Sequence, residues 1–353
     1  MPAADPAALD YHAPWWLPGG NLQTIWPALF ARRGDGPRPQ YTRERWTTPD
    51  GDFIDLDWLQ AGAAPSSTAT LLVLFHGLEG SSRSHYAEAF AHIAQQRGLA
   101  FVVPHFRGCS GELNHGPRAY HSGDHEEVHW ILERLRVRFP GRVLAVGVSL
   151  GGNALMRWAG QAGSEASRLC DAVASVCSPI DLAAGGRAIG RGFNRLVYTT
   201  MFMRTMRPKA LRKLAQHPGL FDRDAMLAAR DLYEFDNIFT APVHGFTSTE
   251  DYWARASAKP HLPRIRIPAL ALNALNDPFV PAASLPQPGE VSPTTTLWQP
   301  RHGGHVGFPA GSFPGQVWAM PEAVTTWLLQ AAGITPVVPE AWPERPMTVP
   351  AAL

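Results

Sequence analysis

The amino-acid sequence predicts an α/β fold: a mostly parallel central sheet with helices on both faces and a helical cap insertion late in the chain. Three observations carry that expectation. Short unbroken apolar runs alternate with stretches of helical period. A glycine-rich turn joins one of those runs directly to a helix, and the strand rhythm stops between Asp181 and Lys259. The chain has 353 residues, 45% hydrophobic and 17% charged, which allows a large core and falls outside the compositions of disordered chains.

The first element is a hairpin, because residues 43–48 and Phe53–Leu59 flank the turn signal Pro49-Asp50-Gly51. Strands follow at Leu71–Phe75, 100–103, Val143–Val148, Ala172–Val176 and Ala269–Leu272. Their apolar character is uninterrupted because a parallel strand is covered on both faces and loses the inside/outside alternation. Helical period fills 84–97, 123–138 and 150–163 between them, and strand–helix–strand alternation gives right-handed crossovers. Residues 1–180 thus form the first part of the core, 181–259 a helical cap insertion, and 260–332 the rest of the core. That last part contains a strand at 295–299 and a helix near 316–332. Residues 333–353 carry Pro336, Pro339, Pro343, Pro346 and Pro350 and are expected to be an extended tail.

Lys+Arg 31 against Asp+Glu 30 leaves +1, so no global field attracts nucleic acid or anionic lipid, and any basic patch must be local. The odd count of cysteines (Cys109, Cys170, Cys177) fits reduced intracellular thiols. The first Lys or Arg is Arg32, without the basic region and apolar run of a signal peptide, and no apolar stretch approaches the ~18 residues of a membrane helix. A soluble, cytoplasmic protein is expected.

The segment Val143-Leu-Ala-Val-Gly147-Val-Ser149-Leu150-Gly151-Gly152 runs a buried strand through Gly-x-Ser-x-Gly into a helix. Such a turn exposes the serine hydroxyl and sets the next backbone N–H, that of Leu150, at a helix N-terminus. A serine needs a base and an orienting carboxylate to attack. Asp277 closes the strand Ala269–Leu272, and His305 follows the next strand, giving the order Ser149, Asp277, His305. Asp181 is the rival acid and reads equally as a helix N-cap; His302 is the rival base. His305 is preferred because it lies beyond the Gly303-Gly304 turn. The loop His76-Gly77-Leu78 after the strand Leu71–Phe75 offers the Leu78 N–H as a second oxyanion donor beside Leu150.

The phrases Gly-Asn21-Leu-Gln-Thr24, His76-Gly-Leu-Glu-Gly80, Phe106-Arg-Gly-Cys-Ser-Gly111, Tyr120-His-Ser-Gly-Asp124, Gly147-Val-Ser-Leu-Gly-Gly-Asn153, Phe239-Thr-Ala-Pro-Val-His-Gly-Phe246 and His302-Gly-Gly-His-Val-Gly-Phe308 span nearly the whole chain. Together they resemble the YheT-like α/β-hydrolases. The resemblance implies an α/β-hydrolase fold and a Ser-Asp-His hydrolase of carboxylic esters, related to membrane-anchored animal lipases and phospholipases, with the triad at Ser149, Asp277 and His305. Unlike those animal relatives, this sequence shows no N-terminal membrane helix, so any lipid contact is expected to be peripheral. The expected substrate is a small acyl ester, with no cofactor, metal or nucleic acid. Alternatives are an acyltransferase using a non-water acceptor and a non-catalytic ligand-binding homologue.

Other motifs carry competing meanings. His125-Glu-Glu-Val-His129 is a literal zinc-binding pattern on a helix, but the extended motif would need Gly at 132 and a third ligand, His, at 135, and both are Leu. Val128, Ile131, Leu132 and Leu135 form that helix's inward stripe, which turns both histidines to solvent. Arg107 and Glu112 read as structural ion-pairing groups. In the cap, Arg187, Arg191, Arg195, Arg204, Arg207, Lys209, Arg212 and Lys213 fall in a stretch without Asp or Glu, a solvated basic face. Phe202, Met203 and Met206, interleaved with them, are the expected contacts for an acyl chain. Trp15, Trp16 and Trp26 read as packing residues.

Overall fold

A computed structural model describes residues 11–60 and 69–335. Of the proposed tail, residues 336–353 therefore lie outside the described residues. The hairpin forms from β1 (Tyr41–Thr47) and β2 (Phe53–Leu59), paired antiparallel with Thr47 opposite Phe53. The remaining strands are β3 (Leu71–Phe75), β4 (Ala100–Pro104), β5 (Val143–Val148), β6 (Ala172–Val176), β7 (Ala269–Leu272) and β8 (Thr295–Trp298). They form one sheet of eight strands in the order β1-β2-β4-β3-β5-β6-β7-β8. It is parallel from β4 to β8, and β2 joins β4 antiparallel.

The helices, in chain order, are α1 (Gly20–Leu29), α2 (His85–Gln96), α3 (His125–Arg138), α4 (Leu150–Ala162), α5 (Leu182–Ile189), α6 (Thr200–Gln216), α7 (Arg223–Ala228), α8 (Thr249–Ala256) and α9 (Ala319–Ala331), with short turns between them. Alternate residues of one strand feed different cores. Leu71, Val73 and Phe75 pack with α3 and α4 through Ile131, Leu132, Leu155 and Trp158. Leu72 and Leu74 pack with α2 and α9 through Phe90, Val324 and Leu328. This two-sided burial is why the strands carry unbroken apolar runs.

No strand lies between β6 and β7 among the described residues; α5 to α8 occupy the interval. Asp181 caps α5, its Oδ1 accepting from the Ala184 N–H at 3.0 Å, which is the rival role weighed for it. Met203, Met206, Ala210, Met226, Phe235 and Phe239 form a separate apolar cluster against which Leu78 packs. Arg107 is buried with Glu127 at 2.6 Å and Asp50 at 2.8 Å, tying the hairpin turn to α3, and Glu112 pairs with Arg45 at 2.7 Å.

The N-terminal side holds one helix that the sequence reading lacked and one reading that needs correction. Helix α1 was not legible in the sequence: it carries Pro27, and its buried residues Gln23, Thr24 and Pro27 give it no apolar stripe. Trp16 and Trp26 do pack, on each other and on Phe313, but Trp15 is 92% exposed and is no packing residue. Among the described residues, no helix is long and apolar enough to cross a membrane.

Candidate active site

Strand β5 enters α4 through Ser149, whose φ of 52° and ψ of −119° lie outside the ordinary regions for a residue with a side chain. The surrounding glycines are required by space. A β-carbon on Gly147 would lie 2.5 Å from the Gly151 carbonyl oxygen, one on Gly151 2.3 Å from that of Phe75, and one on Gly152 1.9 Å from Ser178 Oγ. The strained turn is held by the Ser149 N–H donating to Val176 O at 2.8 Å and by Gly152 and Asn153 donating to Ser149 O.

His305 Nε2 stands 3.0 Å from Ser149 Oγ, and its Nδ1 lies 2.9 Å from Asp277 Oδ2 and 3.2 Å from Oδ1. A carboxylate facing Nδ1 fixes the proton there, which leaves Nε2 to accept from the serine. Asp277 follows β7 and is itself oriented, since its Oδ1 accepts from the Phe279 N–H at 2.7 Å. The Phe279 ring stacks on the imidazole with centroids 4.1 Å apart. His302, the rival base, is exposed, with Nδ1 3.5 Å from Asn276 Nδ2.

The support of His305 comes from α1 and from Asn276, which sequence reasoning missed. Thr24 Oγ1 accepts from the His305 N–H at 2.8 Å, Gln23 Oε1 from the Gly303 N–H at 2.9 Å, and Asn276 Oδ1 from the Gly304 N–H at 3.0 Å. The only sequence signal for it is the Asn21-Leu-Gln-Thr24 phrase, which carries family resemblance but no chemistry that would assign a role. Cys177 lies beneath: its Sγ accepts from Val306 N–H, and its donor sits within 4.8 Å of those of Asp277 and His305. Burial, reinforced by the Asp277 carboxylate, raises the thiol's pKa well above its ordinary value, so it stays protonated and is a poor metal ligand.

His76 shapes the loop carrying Leu78. Its Nε2 accepts from the Phe106 N–H at 3.1 Å, so Nδ1 bears the proton and donates to Gly77 O at 2.8 Å. Burial lowers its pKa to about 3, keeping the ring neutral. A β-carbon on Gly77 would lie 3.3 Å from Ser149 Cβ, so the loop passes directly over the elbow. Among the described residues, neither the Leu78 nor the Leu150 N–H has a protein acceptor.

Leu78 and Leu150 both line a cavity of about 70 Å³ whose far wall includes Met206, Ala210 and Phe239. Met203 does not line it and packs within the apolar cluster. Phe202 is also off the wall and meets Phe279 edge-on at 6.3 Å. Lys209 and Lys213, read as part of a solvated basic face, instead turn toward this cavity. Lys213 is buried with Nζ donating to Asn114 O and Gly116 O at 2.6 and 2.7 Å, and burial lowers its pKa to about 8. Lys209 pairs with Glu79 at 2.9 Å. A larger cleft of about 650 Å³ is lined by Arg187, Tyr233, Glu250 and Trp253. Ser149, Asp277 and His305 are in the lining of neither space, and the smaller one reaches the elbow through Leu78 and Leu150. In the zinc-like pattern, His129 is exposed and accepts from Trp158 Nε1 at 3.1 Å, while His125 Nδ1 meets Gly123 O at 3.1 Å.

Residues 70–312 match the model of the alpha/beta hydrolase fold family. The chain is 39% identical to YheT of Escherichia coli (strain K12), to which an esterase role is ascribed, over 87% of this chain and 91% of that one. It is 31% identical to the phospholipase ABHD3 of Mus musculus over 87% of this chain and 75% of the relative. Among solved structures, the Pyrococcus furiosus esterase Pf2001 shares the fold, with a TM-score of 0.50 at 14% identity, covering 86% of this chain and 96% of that one. With an elbow, a parallel sheet and a matching family model over most of its length, this chain belongs to the α/β-hydrolase family, in its YheT-like branch.

Proposed function

We propose that the protein is a serine hydrolase of carboxylic esters, lipid-like esters included, acting through an acyl-enzyme. The observation that carries this reading is the continuous contact from Asp277 through His305 to Ser149 Oγ, at 2.9 and 3.0 Å. In the proposed cycle Ser149 attacks the ester carbonyl while His305 Nε2 takes its proton. The proton then passes to the departing alcohol, and a water activated by the same imidazole releases the acid. Asp277 holds the tautomer and stabilises the imidazolium. The Leu78 and Leu150 N–H groups receive the oxyanion, which fits their lack of other acceptors. Residues 181–259 act as a cap whose Met206 bounds the acyl-chain space, in keeping with its position on the cavity wall. An ester substrate agrees with the names of the two relatives, an ascribed esterase and a phospholipase. A cytoplasmic setting belongs to the same reading and is supported by three buried free thiols.

The test is labelling with a fluorophosphonate probe alongside turnover of esters of graded chain length. Ser149→Ala should abolish labelling and lower kcat on the order of 10⁶-fold, and His305→Ala should do the same to turnover. Asp277→Asn should cost about 10⁴-fold through the wrong tautomer. His302→Ala should leave turnover intact. Equal turnover by wild type and Ser149→Ala would overturn the mechanism.

A further inference from the structure

Beside the site the described surface carries large apolar side chains that pack on nothing outward. Trp15 and Phe313 are 92% and 70% exposed, and Leu29 and Phe30 at the end of α1 are exposed too; Trp26 meets both Phe313 and Phe30, and Trp16, next to Trp15, meets Phe313. Across from them, on the turn leading into α6, Leu196 is 75% exposed and is flanked by exposed Phe193 and Met201. The two groups meet where Tyr198 Oη donates to Asn21 Oδ1 at 2.8 Å and Ile25 packs beside Tyr198. Scattered exposed apolar residues are normal, but two groups of aromatic and aliphatic side chains on elements that touch each other mark a docking surface. The inward face of the same helix bears Gln23 and Thr24, which hold the His305 loop, so whatever covers the patch lies next to the site.

The charge around the patch selects the occupant. Arg191, Arg195 and Arg204 are exposed on this side, and the sequence has no Asp or Glu between Asp181 and Asp222. A second copy docking through a two-fold axis would set this basic face against itself, arginines near arginines with no carboxylate from residues 182–221 between them. A surface that is apolar beneath and anionic at its head groups complements both features: tryptophan and phenylalanine enter the interface while arginines meet phosphates. We propose that this face, from Trp15 and Phe313 to Leu196 and Arg195, docks the protein peripherally on an anionic lipid surface. The proposal is independent of the catalytic reading, since binding is measured without turnover.

Sedimentation of the full chain with vesicles tests it. Vesicles of phosphatidylcholine and phosphatidylglycerol in equal parts should carry the wild type down, and phosphatidylcholine alone should carry much less. Binding should fall at about 1 M salt, where the Debye length is about 3 Å. Trp15→Ser combined with Leu196→Ser should lower binding to the mixed vesicles about tenfold or more. Arg195→Glu with Arg204→Glu should lower it similarly and leave the weak binding to phosphatidylcholine unchanged. Val137→Ser, which removes an exposed apolar side chain on α3 instead, should bind as wild type does. Wild type that stays in the supernatant with mixed vesicles, or patch variants that pellet like wild type, would overturn the proposal. So would a wild-type dimer that Leu196→Ser dissociates, because the patch would then belong to a second copy.

Discussion

Replacing Gln23 by leucine keeps the side chain's approximate size and removes its hydrogen bonds. Gln23 is 2% exposed; its Oε1 accepts from the Gly303 N–H and Asn276 Nδ2, both at 2.9 Å, and its Nε2 donates to Leu17 O at 2.7 Å. Leucine would strand the Gly303 N–H and the Leu17 carbonyl, two buried groups costing about 1–3 kcal/mol each, so about 2–6 kcal/mol before the apolar gain of leucine offsets part. At about 2 °C per kcal/mol for a chain of this size, the melting temperature should fall by about 4–12 °C. The catalytic consequence is separate. Gly303 lies two residues before His305, and misplacing a reacting group by about 1 Å costs about 10²-fold. A thermal melt together with kcat and KM on a water-soluble acetate ester checks both, with the loss expected in kcat rather than KM. A melting temperature within about 1 °C of wild type would refute the stability estimate. A lowered melting temperature with unchanged kcat would show that Gln23 only packs and does not position the histidine.

Two further outcomes follow from buried groups. His76 has its pKa lowered to about 3 from an ordinary 6.5, so between those values the folded state binds fewer protons than the unfolded one. Its contribution to stability is complete above pH 6.5 and is lost as pH falls toward 3, at up to about 1.4 kcal/mol per pH unit. Urea titrations at about pH 5 and about pH 7 should show a smaller difference for His76→Gln than for wild type, and equal differences would refute the assignment. Met206→Ala should change the chain-length preference across an ester series, because Met206 lines the cavity. Met203→Ala should cost about 2–5 kcal/mol of stability and leave that preference alone, since Met203 is buried within the apolar cluster; matching profiles for the two variants would contradict this division.

Most of what is periodic or locally strained was legible in advance. The strands, three of the core helices and the elbow were found close to their observed bounds, because two-sided burial and glycine spacing leave marks on neighbouring residues. Helix α9 was placed near 316–332 and begins later, at Ala319. Asp277 and His305 were chosen because such groups stand at strand ends; that the fold brings them within hydrogen-bond distance of each other and of Ser149 was not available from the chain alone. The lysines of α6 were misjudged for the opposite reason. Lys209 and Lys213 share a helix with exposed arginines, and only their partners, Glu79 and the carbonyls of Asn114 and Gly116, distinguish them.

By itself, then, the sequence determined the alternation of strands and helices, the Gly147-Val-Ser149-Leu-Gly151 turn and the order of the three polar residues, all properties of short windows governed by backbone sterics and burial period. The tertiary structure decided what depends on partners far along the chain. It seats α1 against a loop 280 residues away, where Gln23 reaches Gly303. It also inserts β3 between β4 and β5, closes a cavity with Met206 but not Met203, and leaves Trp15 outside while Trp16 packs. Contacts between remote side chains impose no period on the sequence, so nothing local records them until the chain has folded.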